Sequence, residues 1–140
     1  MVHALEEIRR TLKPNGILID LRPVEDNWLV EINASTGTTQ VAGRLNDMPM
    51  GLADDEAAFK AMREAESRSW FIKEKEEEFA FFYYWDTPSE MKTFMEEEWE
   101  DFEKIEDDVY QKTKSLWSQA NADARVRVRV KMLITRWKKI

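Results

Sequence analysis

The chain has no cysteine. That excludes a disulfide framework, thiolate-ligated zinc and thiol catalysis. It has one histidine, His3, in a first turn prone to fraying and with no nucleophile nearby, so no catalytic or metal role is expected of it. Without cysteine or a second histidine, any metal would need carboxylate ligands, and the acidic run from Glu96 to Asp108 lacks the glycine-centred alternation of a calcium loop. No metal site and no catalytic residue are predicted. There is no apolar run long enough to span a bilayer and no charged-then-apolar leader, so a soluble, cytoplasmic protein without membrane association is expected. Cationic excess is missing too: 21 Lys and Arg stand against 28 Asp and Glu, a formal charge of −7 that opposes non-specific nucleic-acid binding.

What is present suffices for a core. With 140 residues, 43% of them hydrophobic, the chain fits one domain over 1–140. Six Trp, seven Phe and three Tyr are many for this length, and each removes ~150–250 Å² from water when buried.

Leu5, Ile8 and Leu12 mark one face of a short helix, with Glu6, Glu7, Arg9, Arg10 and Lys13 on the others. Pro14 biases Lys13 away from helical torsions, so the helix should stop near Leu12. Asn15-Gly16 tolerates positive φ, and Ile17 to Leu21 is nearly continuous apolar sequence, suited to a parallel strand covered on both faces. Trp28–Ile32 and Thr38–Ala42 flank Ala34-Ser35-Thr36-Gly37 as a hairpin. Asn46 to Leu52 reads as loop, and Asp54 opens a helix ending near Trp70. Phe79 to Trp85 alternates large rings on both sides, a strand expected deep in the sheet. Thr87-Pro88-Ser89-Glu90 is a capping box with proline at the first helical position. It opens an apolar stripe from Met91 to Ala120, with a possible break near Asp107-Asp108. Val126, Val128, Val130, Met132 and Ile134 alternate with Arg125, Arg127, Arg129 and Lys131, the period of a strand with its valines inward. Substituting Arg127 should then be tolerated.

The stretch Leu5 to Pro23, with its Leu12-Lys13-Pro14-Asn15-Gly16 turn between helix and apolar strand, resembles the fourth-helix, fifth-strand region of the class I S-adenosylmethionine-dependent methyltransferases. The resemblance implies an α/β fold with a mixed, Rossmann-like sheet. It maps Ile17–Pro23 to the fifth strand, Asp54–Ser69 to the next helix and Glu78–Trp85 to the sixth strand. Arg125–Trp137 maps to an antiparallel seventh strand inserted between the fifth and sixth. The hairpin and the long helical segment become insertions. In that family the cofactor site precedes this region, where the chain has four residues. The acidic-x-Gly-x-Gly loop and the ribose-binding carboxylate have no counterpart, and Gly16, Gly37, Gly43 and Gly51 are too far apart to form such a loop.

The resemblance thus implies the C-terminal half of a methyltransferase domain that binds no cofactor by itself and is inactive alone, a structural or interaction module. The alternative is a methyltransferase subunit, using S-adenosylmethionine, completed by a partner chain or by an N-terminal segment. Asp20 and Arg22, at the end of the first strand where open α/β sheets place their ligand crevice, and Tyr84, Trp85 and Asp86, ending another, are the candidate substrate pocket. Ordinary core is the competing reading for the aromatics, and ion pairing for the Arg125–Lys131 stripe. The strand Ile17–Pro23 would lack a neighbour on one edge, so a homodimer through that edge is expected.

Overall fold

The computed structural model describes residues 1–140 as four helices and seven strands, a mixed α/β fold around a five-stranded antiparallel sheet. In order they are α1 (Val2–Thr11), β1 (Ile17–Pro23), β2 (Leu29–Asn33), β3 (Thr39–Arg44), β4 (Asn46–Asp47), α2 (Pro49–Ser67), β5 (Phe71–Trp85), α3 (Pro88–Glu98), β6 (Glu103–Lys104), α4 (Asp107–Gln119) and β7 (Arg125–Lys139). β7 is the hub of the sheet. Its second half pairs antiparallel with β1, Leu21 opposite Ile134, and its first half with β2, Val30 opposite Val128. β5 also pairs with β7, and its side chains reach both halves: Glu74 meets Arg136 at 2.8 Å and Asp86 meets Arg125 at 3.4 Å. β7 therefore lies between β5 on one edge and β1 and β2 on the other. β3 adds to β2 as a hairpin, and β4 pairs with β6 in a separate two-stranded sheet.

The chain divides into two compact units. The first holds 1–24, 53–79 and 132–140. Its core is Leu5 from α1, Ala61, Met62 and Ala65 from α2, Trp70, Phe71 and Trp137, with Ile8, Leu12 and Leu18 packed against them. α1 stops where Pro14 requires: Leu12 is extended, Asn15 takes a φ of 61°, and Gly16 N donates to Lys13 O at 2.9 Å. A Cβ on Gly16 would lie 2.8 Å from that oxygen, which is why glycine follows the asparagine. The turn is tied to β7 through Lys139 N donating to Gly16 O and Lys139 Nζ to Leu12 O.

The second unit holds 25–52 and 80–131. Val30, Ile32, Ala42, Leu45, Met91, Met95, Val126, Val128 and Val130 are its buried interior. α4 packs on β3 and β2, and α3 against α4. At Gly43 on β3 the approach of α4 is so close that a Cβ would sit 2.9 Å from both Val109 methyls. The helix is capped as its sequence requires, Thr87 Oγ1 accepting from Glu90 N, while Glu90 Oε2 reaches one residue beyond the cap and accepts from Asp86 N, each at 3.2 Å.

Several expectations are corrected. β1 is not a parallel strand covered on both faces: it runs antiparallel to β7, pairs with no other strand, and leaves Ile19 and Leu21 about half exposed. Phe79 to Trp85 is not deep in the sheet, because β5 is an edge strand and Phe79, Phe81, Tyr83 and Tyr84 are exposed. β5 also starts at Phe71, so Lys73 to Glu78 are strand residues, a charged edge that discourages pairing. Asn46 to Leu52 is not all loop, since β4 and the first turn of α2 occupy it. The stripe from Met91 to Ala120 is two helices, interrupted after Glu98 by a turn and β6. Along β7 the buried positions change from Val126, Val128 and Val130 to Leu133, Thr135 and Trp137, so Met132 and Ile134 are only half-buried. No helix is long and apolar enough to cross a membrane.

Candidate functional site

Three carboxylates gather in the second unit. Glu25 comes from the loop after β1, Asp47 from β4 and Glu103 from β6, and one oxygen of each lies within 4.8 Å of the others. β4 and β6 set two of them, because their pairing places Asp47 opposite Glu103. The loop sets the third. Asn27 takes a φ of 46° and exchanges hydrogen bonds with Asp47: its N donates to Asp47 Oδ1 at 3.0 Å, and Asp47 N donates to Asn27 Oδ1 at 3.3 Å. Gly51, in the first turn of α2, completes the enclosure, since a Cβ there would lie 2.7 Å from Glu25 Oε1.

Glu103 is buried, and it also lines a groove of about 270 Å³ with Met48, Met95, Lys92 and Glu96. Burial pushes the Glu25 carboxyl up to about 10, helped by hydrogen bonds to Glu103 and Asp47 and by their negative charge. Glu25 thus holds its proton at neutral pH. Oxygen-only donors are the ligand class of a hard divalent cation rather than of zinc or copper. The proton on Glu25 relieves the same crowding of charge. No sequence signal pointed to this group, because its members are 22 and 56 positions apart and two of them sit in two-residue strands.

The five residues read from sequence as a pocket fall into two places. In the first unit, Arg22 Nη2 meets Asp20 Oδ2 at 3.5 Å and its guanidinium stacks 4.3 Å from the Phe59 ring. Asp20 and Arg22 lie opposite Thr135 and Leu133, the buried side of β7. In the second unit, Tyr84 and Trp85 point to opposite faces of β5. Tyr84 Oη accepts from Arg127 Nη1 at 3.1 Å and has Arg125 over its ring at 4.8 Å, and Asp86 pairs with Arg125. Trp85 joins a cluster of rings with Tyr83, Phe94 and Trp99.

In the basic stripe of β7, Arg125, Arg127 and Lys131 meet Asp86, Glu31 and Asp26, and Arg129 lies over the Phe82 ring. Arg127 Nε meets Glu31 Oε1 at 2.9 Å, with both side chains largely buried, and Phe82 lies 4.2 Å beneath the guanidinium. Burial works against that charge, and the hydrogen bonds to Tyr84 and Glu31 outweigh it, raising the Arg127 pKa. The expectation that Arg127 is dispensable is therefore corrected. Its signal was visible in β2, where Glu31 stands between Val30 and Ile32 and needs a partner if buried. No family model, curated protein or solved structure matches the chain.

Proposed function

We propose that these residues correspond to the C-terminal half of a class I methyltransferase domain and act as a structural or interaction module that does not hold S-adenosylmethionine by itself. The observation that carries this reading is the order β1, β7, β5, with β7 antiparallel to β1 and lying between it and β5. That is the place the resemblance assigns to a seventh strand inserted between a fifth and a sixth. The helix and the Lys13-Pro14-Asn15-Gly16 turn into β1 stand where it requires them.

The interaction surface in this reading is β1. It has a neighbour on one side only, and Ile19 and Leu21 leave apolar surface beside the free edge. Nothing blunts that edge before Asp20, and Pro23 interrupts only its end. A second copy pairing through it gives a symmetric dimer, which should bury more than ~1,000 Å² if specific. The alternative, a partner chain that supplies a cofactor-binding half and completes an active methyltransferase, uses the same edge.

Calorimetric titration with S-adenosylmethionine tests the first claim: no saturable heat is expected, and micromolar binding would overturn it. Light scattering after size exclusion at several concentrations tests the second. A strict 16.6 kDa monomer at high concentration would count against the dimer, and a dimer should become monomeric with Leu21→Lys.

A further inference from the structure

Four rings meet where β5 ends and α3 turns back: Tyr83, Trp85, Phe94 and Trp99. Trp85 and Phe94 are 5.3 Å apart, Phe94 and Trp99 5.3 Å, and Tyr83 and Trp99 5.0 Å. Trp28 backs Trp99 edge-on at 5.6 Å. Tyr83 is exposed, and Trp85, Phe94 and Trp99 are half-buried. Over Trp85 and Phe94 opens a groove of about 410 Å³ whose remaining lining is Ser89, Thr93, Glu90 and Glu97. Its charged lining is entirely negative.

Three other rings of this unit already carry cations. Arg127 lies 4.2 Å from Phe82, Arg125 4.8 Å from Tyr84, and Lys92 and Lys114 stand 4.7 Å and 5.1 Å from Tyr110. Trp85 and Phe94 are not among the rings so used. Lys92, the one cation of α3, is turned to Glu96 at 3.9 Å as well as to Tyr110. Glu90 is held in place, because its Oε2 accepts the Asp86 N–H just before the helix. Glu97 is exposed, one turn after Phe94 on α3.

We propose that this groove binds a small quaternary ammonium ion, its methyl groups against Trp85 and Phe94 and its charge balanced by Glu90 and Glu97. The negative ring faces attract a cation most when it brings little water with it, and aromatic walls flanked by carboxylates are the setting in which methylated ammonium groups are held. A neutral molecule of the same shape gains the apolar contact and loses the charge term, so the site discriminates by charge rather than by size.

Proton NMR with tetramethylammonium chloride as the probe, at constant ionic strength, reads the site directly. The methyl resonance should move upfield as the protein is added, saturably, because ring currents act on a group held over the indole and phenyl faces. tert-Butanol, its uncharged counterpart in shape, should shift far less at the same concentration. Phe94→Leu, which keeps apolar bulk and removes one π face, should weaken binding about fivefold. Glu97→Gln, which leaves the fold untouched, should weaken it about twofold to fivefold and decides the question if the Phe94 variant fails to fold. Equal shifts for tert-butanol, no saturable shift, or an unchanged affinity in Glu97→Gln would each overturn the proposal.

Discussion

The two units treat the open side of their strands in opposite ways. In the first unit that side carries Ile19 and Leu21 of β1, opposite Arg136 and Ile134 of β7, and Ile72 of β5, which shares the face of Glu74. Ile19, Leu21 and Ile72 are each about half exposed. In the second unit the corresponding residues are Arg125, Arg127 and Arg129 of β7, Phe82 and Tyr84 of β5, and Glu31 of β2, laced by ion pairs, hydrogen bonds and cation–π contacts. One face closes on itself and the other does not. A sheet face without helices over it is stable when its aromatics are capped by guanidinium groups that are themselves paired, and an uncapped apolar face invites a partner.

The largest effect expected is at the foundation of the closed face. Val128 is fully buried, so Val128→Asp should leave no folded protein by circular dichroism, an unpaired charge being too costly there. Next is Arg127→Ala, which strands Glu31 in a site where it is 4% exposed. A loss of about 3–5 kcal/mol in urea unfolding is expected, and the double variant with Glu31→Ala should recover part of it. If Arg127→Ala costs no more than a surface substitution, the closed face does not depend on its ion pair and the contrast between the units fails.

The third expectation concerns pH. Glu25 keeps its proton in the folded chain from the ordinary carboxylate value of 4.5 up to about 10. Over that interval the folded state binds more protons than the unfolded one, so this contribution is full below 4.5, falls as pH rises, and is gone above 10. Glu25→Gln should flatten the decline of thermal midpoint between pH 5 and 9, most visibly at the alkaline end. The smallest effect is on the open face: Ile19→Lys should change stability by no more than about 0.5 kcal/mol while abolishing any self-association seen by light scattering. A large loss of monomer stability would mean that Ile19 is core after all.

What could be read in advance were the local devices. Thr87 and Glu90 determine a helix start within four residues, and Leu12 to Gly16 a helix end, so each needs only neighbours in sequence. The hairpin of β2 and β3 and the alternation in β7 are local in the same sense. The edge character of β1 and β5 was not legible, because an apolar run is compatible with a covered strand or a bare one and only the partner list decides. Lys73 to Glu78 are all charged and are nonetheless strand throughout, since β7 supplies pairing that propensity does not. The inward set of β7 was misread beyond Val130 because periodicity gives alternation and not which side is covered. The carboxyl group of three and the Arg127–Glu31 pair assemble across 22 to 96 positions, beyond the reach of any spacing rule.

At Gly43 the distance to Val109 works as a threshold rather than a gradient. Valine is stiff about its first torsion, so neither methyl can swing away from a newly added carbon 2.9 Å off, and α4 would have to lift from β3 as a body. In a library of replacements at position 43, the penalty should therefore appear in full with alanine and grow little with larger residues. Trimming the opposing side chain with Val109→Ala should make Gly43→Ala acceptable. Positions 43 and 109 would then drift only as a pair, one losing bulk before the other gains it.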